Sequence, residues 1–183
     1  MNNLDPFRRL HAHRMWANRQ LMAAAQAIDN EQLHRALAIG QATIWKSLLH
    51  LYAAEYVWLE ALQGHEQFSI PGDRLDQLPG TQQAEGGIAS LTGLRAKWNA
   101  LDQRWQQYLD QLSPDDLRRD VAKVSANGLR TSTHLSDVLL HVCTHAHYTA
   151  AQVINMLRQV GVQDLPNPML ISLARQERSV AGG

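Results

Sequence analysis

Apolar residues recur at three- and four-residue steps along four long stretches of the chain, a spacing that is typical of α-helices. The predicted helices cover about 5–28, 42–63, 88–112 and 132–160, the last beginning near Ser132 or Thr133. The second stretch is apolar over most of its circumference, so we expect it to be the most buried helix. Four such helices predict an all-α protein built as a helix bundle.

Turn-forming residues separate the long helices and mark shorter elements. Short helices are predicted at DNEQL and within PNPMLISLARQE. Asn127-Gly128 is a strong turn pair, so the residues around it indicate irregular structure or a short hairpin. Residues 64–87 contain Pro71, Pro79 and five glycines without a clear period. A loop of this length inside a compact domain is predicted to be either mobile or functional.

Length and composition predict one globular domain over residues 1–183. Hydrophobic residues make up 45% of the chain, and 17 Lys and Arg balance 17 Asp and Glu. Zero net charge gives no electrostatic basis for a nucleic acid partner, and no polybasic membrane patch is present. Cys143 is the single cysteine, which excludes an intrachain disulfide and favours a reducing compartment. With neither a secretory signal nor a membrane-spanning apolar stretch in view, we expect a cytoplasmic protein.

Three of the nine histidines lie in the stretch LLHVCTHAHYTAAQ. Because a helix turns by about 100° per residue, His141 and His145 share one face and His147 points nearly opposite. An i,i+4 histidine pair can chelate a divalent metal, but a catalytic centre usually has three protein ligands. His50 is the best candidate for the third, since it lies mid-helix and has the small residues Ser47 and Ala54 on its face.

Structural roles compete with each of these chemical roles. A lone histidine on an apolar helix, such as His50, is more often a hydrogen-bonded core residue than a ligand. Cys143 faces away from the His141 row and is expected to be a small buried residue rather than a nucleophile. Glu55 and Glu60 could serve as acid/base groups, although solvated or capping roles are expected for most carboxylates of the chain. Surface or capping positions are expected for His11, His13, His34, His65 and His134, and core positions for Trp16, Trp45, Trp58, Trp98 and Trp105.

Four stretches, taken in order, resemble the DinB-like family of four-helix-bundle proteins, which is also grouped with the YfiT-like metalloenzymes. They are MWANRQLMAA, IWKSLLHLYAAEYVWLEALQG, LSPDDLRRDV and LSDVLLHVCTHAHYTAAQVINMLRQVG. Together they span nearly the whole chain. The resemblance implies an up-down-down-up bundle with short additional helices, and a homodimer.

The resemblance also implies a metal held by one histidine of the second long helix and two of the fourth at i,i+4. His50 matches the first ligand and His145 the second, whereas Thr149 occupies the third position and only Gln152 of the family's HRGQ motif is retained. A threonine hydroxyl is a poorer zinc or nickel ligand than imidazole. Three outcomes stay open: His141 replaces the lost ligand, His50 and His145 hold the metal with waters, or the pocket persists without metal.

The function implied by the resemblance is a metal-dependent, thiol-dependent transferase or a hydrolase acting on an unidentified small molecule. The cofactors would be zinc or nickel and a low-molecular-weight thiol, because a bound metal lowers the pKa of a coordinated thiol or water. Residues 64–87 could help to cover the pocket. The alternatives are a non-catalytic small-ligand-binding bundle and a stress-response dimeric bundle without metal.

Overall fold

The helices of the protein lie close to where apolar spacing predicts them. The computed structural model describes residues 3–68, 70–74, 77, 80–125 and 127–181. The helices are α1 (Asp5–Gln26), α2 (Asn30–His34), α3 (Ile44–Leu62), α4 (Leu91–Gln111), α5 (Leu135–Gln159) and α6 (Leu170–Ala181), with a 3₁₀ turn at Pro114–Arg118. Strands β1 (Asp120–Val124) and β2 (Arg130–His134) form a hairpin. The predicted all-α class is confirmed. Pro79, which belongs to the predicted loop, lies outside the described residues.

Side-chain caps fix the first turn of three helices. Asp29 forms a capping box at α2. The Thr43 hydroxyl accepts the Lys46 backbone N–H at 3.0 Å at the start of α3, and the Ser90 hydroxyl accepts the Gly93 N–H at 3.1 Å at the start of α4. Each cap satisfies a backbone donor that has no partner within its helix. These bonds explain why α3 and α4 begin two to three residues later than their apolar patterns suggest.

The start of α5 differs from the prediction because the preceding residues form a strand. Residues 130–134 pair in antiparallel register with residues 120–124, and His134 lies opposite Asp120. Ser132 and Thr133 therefore belong to β2, and α5 begins at Leu135. The predicted turn at Asn127-Gly128 is confirmed as the hairpin connection.

Helices α3 and α4 run in the same direction. The Trp98 indole N–H donates to Glu55 Oε2 at 3.0 Å. Further toward the C-terminal end of both helices, the Tyr108 hydroxyl donates to the Leu62 carbonyl at 3.4 Å. Residue numbers thus rise together along the two helices. A parallel pair needs a long connection between the end of one helix and the start of the next, which residues 63–90 provide.

Helices α1 and α4 run in opposite directions, as two contacts at their ends show. Arg95 near the start of α4 donates to Gln26 at the end of α1, at 3.3 Å. Arg8 near the start of α1 donates to the Leu109 carbonyl near the end of α4, at 3.2 Å. Since α3 is parallel to α4, α1 is also antiparallel to α3.

Helices α3 and α5 are antiparallel as well. Ser47 near the start of α3 contacts Met156 near the end of α5, with the hydroxyl 3.6 Å from the sulfur. Trp58 near the end of α3 meets His141 near the start of α5, with ring centres 5.2 Å apart. The four long helices therefore have the up-down-down-up order that the family resemblance implies.

The core lies between the four long helices, and α3 contributes more buried residues than any other helix. This confirms the prediction from its nearly continuous apolar surface. Trp98 and Trp105 are buried as predicted, whereas Trp16, Trp45 and Trp58 are only partly covered. Among the described residues, no helix combines the length and apolarity needed to cross a membrane.

Candidate metal centre

The antiparallel packing of α3 and α5 places His50 beside His145. Their ring centres are 5.3 Å apart and their planes are inclined by 68°. Both side chains are half-buried. Burial is the largest of the influences that lower the pKa of His145 to about 4, and His50 and His141 add to it. At neutral pH His145 is therefore an uncharged imidazole, the form that binds metals.

The distance between these two rings fits joint attachment to one metal ion. Imidazole nitrogens bind zinc at about 2.0–2.1 Å, and a tetrahedral angle between two of them sets the ring centres roughly 5 Å apart. Within the described parts of the chain, no group of three or more His, Cys, Asp or Glu side chains is arranged to hold a metal ion. The donors present thus fit a two-point attachment rather than a complete three-ligand site.

His141 lies on the predicted row but is turned toward another partner. Its ring centre is 5.9 Å from that of His145, and its edge-on contact with Trp58 is closer, at 5.2 Å. The Lys123 ammonium lies 4.2 Å from the centre of the Trp58 ring. Burial, and secondly Lys123, lower the pKa of His141. His141 therefore packs edge-on against Trp58, and Lys123 of β1 lies over the same ring.

Thr149 and Gln152 lie in the C-terminal half of α5, and Gln152 lies beside the α2–α3 connection. Thr149 is 3% exposed, so its side chain is enclosed where the family resemblance implies a third ligand. A Cβ on Gly40 would lie 2.9 Å from Gln152 Oε1 and 3.2 Å from Ser47 Oγ. Gly40 also has a φ of +53°, which glycine adopts without strain. The connection thus packs tightly on α5 at Gln152.

A cleft of about 380 Å³ opens beside His50. One wall of the cleft comes from the predicted loop, residues 64–87. The other wall comes from α3 and the α2–α3 connection. The lining residues are Gln41, Lys46, His50, Gln77, Gly80, Thr81 and Gln83. His50 of the pair therefore borders a cleft whose described lining consists of polar residues and Gly80.

The loop wall is held against α3 by close backbone packing. A Cβ on Gly80 would lie 2.7 Å from His50 Cα, and Gly80 has a φ of +98°. The Asp73 carboxylate accepts the Gly80 N–H at 2.7 Å and the Gln82 N–H at 2.9 Å. These contacts fix the loop relative to the helix that carries His50.

Three further histidines show where the sequence prediction held and where it was wrong. His147 is exposed and lies 6.3 Å from the His13 ring, away from His145 as predicted. His11 and His13 are buried, contrary to the expected surface positions. Their Nε2 atoms hydrogen-bond to the Leu139 carbonyl at 3.2 Å and the Pro168 carbonyl at 2.7 Å. Other elements cover α1 on more than one side, so two positions with different directions are both enclosed.

Glu55 is the centre of a buried polar network that the sequence reading missed. Its carboxylate forms an ion pair with Arg14, accepts the Asn18 amide at 2.7 Å and accepts the Trp98 indole N–H at 3.0 Å. The Glu55 and Arg14 side chains are each 1% exposed. Glu60 is buried too, so the solvated role expected for most carboxylates is wrong for both. A carboxylate inside an otherwise apolar helix was the available signal.

Cys143 has the weak nucleophilic character that its position predicts. Its side chain is half-buried, and burial raises the pKa of the thiol to about 12. The reactive thiolate is therefore scarce at neutral pH. Cys143 is therefore a weak candidate for a nucleophile.

Two comparisons with known proteins relate nearly the whole chain to one family. The family model described as DinB family matches residues 1–177. The chain is also 23% identical over 158 residues to Protein DinB of Bacillus subtilis (strain 168), and the aligned region covers 86% of this chain and 88% of that protein. The family match includes both helices that carry the histidine pair.

Proposed function

The chain belongs to the DinB family, and from that premise we propose that it binds a divalent metal between His50 and His145 and uses it in a transfer or hydrolysis reaction. The observation that carries the proposal is the 5.3 Å separation of two imidazoles, one of which, His50, lines a cleft. Zinc and nickel are the proposed ions, since imidazole suits both. His141 is an auxiliary ligand that would have to leave Trp58.

In the proposed site, the metal ligands and the wall of the cleft have different roles. His50 and His145 hold the ion, and because zinc commonly takes four ligands, two positions are left for molecules from the cleft. When bound, the ion would lower the pKa of a coordinated low-molecular-weight thiol or water and so supply a nucleophile. The fixed wall around Gly80 and Asp73 positions the second reactant beside α3.

Cobalt substitution tests this proposal directly. Protein purified without an affinity tag is loaded with Co²⁺ and then treated with 2-mercaptoethanol. We expect a thiolate-to-cobalt charge-transfer absorption that is lost in His50→Ala and His145→Ala. His147→Ala is the matched control, because His147 lies on the same helix as His145 and is exposed away from it. No such absorption in the unchanged protein would overturn the proposal.

A second candidate function is binding of a small ligand without metal. The observation that favours it is Thr149, whose enclosed side chain stands where the family resemblance implies a third ligand. In that case Zn²⁺ and Ni²⁺ would show no binding to the purified protein. The cleft beside His50 would then be the binding site itself.

We also propose that the protein is a homodimer, as the family resemblance implies. In a stress-response bundle without metal, the dimer surface would be the functional part. Leu140 and Tyr148 lie two turns apart on α5 and are exposed, and Met169 and Ile171 are exposed near α6. Exposed apolar patches commonly mark interaction surfaces. Sedimentation equilibrium is expected to give twice the chain mass, and Tyr148→Glu to shift it toward the monomer; a monomer throughout would overturn this.

A further inference from the structure

We propose that the cleft beside His50 selects small molecules with a carboxylate or other anionic group, and that Lys46 binds this group. The inference rests on the function proposed above, since the selected molecule is the one that the metal would activate. It names a ligand class and a recognition residue that neither the helix packing nor the family match assigns.

Lys46 and His50 are arranged to bind the two ends of one ligand. They are four residues apart on α3, so their side chains lie on adjacent turns of the same face. Both line the cleft. The Cβ atoms of such a pair are about 5–6 Å apart, which matches a short molecule with an anionic group at one end and a metal-binding atom at the other.

The charges around the cleft favour an anion. Lys46 is the one Lys, Arg, Asp or Glu among the described lining residues; the others are His50 and neutral residues. Within the described part of the chain, the Lys46 ammonium takes part in no ion pair. Asp73, from the same wall, directs its carboxylate to backbone N–H groups of the loop. Lys46 is therefore the one charged group, among the described lining residues, that a ligand in the cleft would meet.

The position of Lys46 in its helix adds to its attraction for an anion. Its backbone N–H is held by the Thr43 cap at 3.0 Å, which places Lys46 in the first turn of the 19-residue helix α3. The N-terminal end of a helix carries a partial positive charge that attracts anions. The ammonium and the helix end thus act in the same direction.

The remaining lining groups suit a polar molecule of modest size. Gln41, Thr81 and Gln83 present amides and a hydroxyl that can donate to, or accept from, a ligand. A volume of about 380 Å³ is at the lower end of the range for small-molecule sites. The close approach of Gly80 to the His50 backbone holds the neighbouring Thr81 next to α3.

Three thiols of similar length and different charge test the inference. Cobalt-loaded protein is titrated with 3-mercaptopropionate, 2-mercaptoethanol and cysteamine, and binding is followed by the charge-transfer absorption. We expect 3-mercaptopropionate to bind roughly tenfold more tightly than 2-mercaptoethanol, and cysteamine to bind most weakly. Equal affinities for the three thiols in the unchanged protein would overturn the inference.

Substitution of the lysine identifies the source of the preference. Lys46→Gln is expected to make the three thiols bind equally, and Lys46→Arg, which keeps the charge, to retain the preference. Lys97→Gln on the exposed face of α4 is the control and should change nothing. A preference for 3-mercaptopropionate that survives Lys46→Gln would exclude Lys46 as the recognition residue.

Failure of the metal proposal can be told apart from failure of this one. If Co²⁺ does not bind the unchanged protein, the proposed function fails, and the three thiols are titrated into metal-free protein while the His50 ring protons are followed by NMR. Shifts caused by 3-mercaptopropionate alone, and lost in Lys46→Gln, would support the anion site. Identical responses to the three thiols would overturn it.

Discussion

The imidazole rings of His50 and His145 lie side by side with their centres 5.3 Å apart, although 95 positions separate them in the sequence. The antiparallel packing of α3 and α5 creates this pair, and His50 also lines a cleft. His145 is neutral at physiological pH because burial lowers its pKa. A neutral imidazole is the form that binds a metal ion.

Replacement of Thr149 by histidine is expected to tighten metal binding. Thr149 follows His145 by one helical turn, so an imidazole there would join the same row and add a third ligand. We expect Thr149→His to lower the zinc dissociation constant by at least about tenfold, or about 1.4 kcal/mol, in calorimetric titration. Thr144→His, an exposed position on the same helix, is the matched control. Equal affinities for the two variants would contradict the alignment of α5 with the family motif.

Removal of His141 is expected to have a small effect on the metal. Its ring contacts Trp58, and the pair is flanked by Lys123. His141→Ala should therefore reduce zinc affinity by less than about tenfold, whereas loss of a direct ligand should exceed the roughly 10–100-fold cost of losing an outer partner. A loss as large as that of His145→Ala would show that His141 leaves Trp58 to become a full ligand.

The buried Arg14–Glu55 ion pair is expected to be a major source of stability. Removing one partner leaves an uncompensated charge in the core, at a cost of about 3–5 kcal/mol. Arg14→Met should therefore lower the free energy of unfolding by that amount in urea titration, because Glu55 remains with only Asn18 and Trp98 as partners.

The surface pair between Arg9 and Glu177 is the control for this measurement. Its side chains are 37% and 50% exposed, and exposed pairs contribute about 0–1 kcal/mol. Arg9→Met should thus change the free energy of unfolding by less than about 1 kcal/mol. Similar losses for Arg9→Met and Arg14→Met would contradict a special role for the buried network.

Asp102 predicts a measurable dependence of stability on pH. Burial is the main cause that raises the pKa of its carboxyl from 3.8 to about 6, and Oδ1 is buried without a partner among the described residues. Between these two values the folded protein keeps a proton that the unfolded chain has released. Its contribution to stability therefore falls as pH rises from about 4 to about 6, and it stays unfavourable above that range.

The substitution Asp102→Asn is expected to remove this unfavourable contribution. About two pKa units correspond to at most about 3 kcal/mol, so we expect the variant to be about 1–3 kcal/mol more stable at neutral pH. The gain should shrink toward zero near pH 4, as shown by thermal unfolding across this range. Asp110→Asn, exposed on the same helix, is the control. A gain that does not change with pH would point to a cause other than the carboxyl.

The order of the helices could be predicted because apolar spacing and caps are local properties. The apolar surface of the second long helix predicted its burial, and Asn127-Gly128 predicted the hairpin turn. The start of α5 was placed too early, because Ser132 and Thr133 pair with β1 and this pairing depends on a distant strand. Pairing with β1 therefore determines that Ser132 and Thr133 form a strand rather than the start of a helix.

The candidate site was predictable only in part. His141 and His145 could be placed on one face from their spacing, and the family resemblance brought in His50. The contact of His141 with Trp58 could not be read from spacing, since it depends on how α3 packs against α5.

The Glu55 network shows the same limit. The motifs that contain Asn18 and Glu55 were recognised separately, but only folding joins them, at 2.7 Å. Local spacing identifies which residues share a helix face, and packing decides what that face meets.

Calorimetric titration with Zn²⁺ tests directly whether His50 and His145 together bind one metal ion. Protein without an affinity tag, freed of metal, is compared with His50→Ala, His145→Ala and the control His147→Ala. We expect one zinc ion per chain for the unchanged protein and for His147→Ala. Zinc binding should be more than about 100-fold weaker in His50→Ala and in His145→Ala, since each variant lacks a direct ligand. Binding that is absent from the unchanged protein, or that persists without His50 and His145, would contradict this expectation.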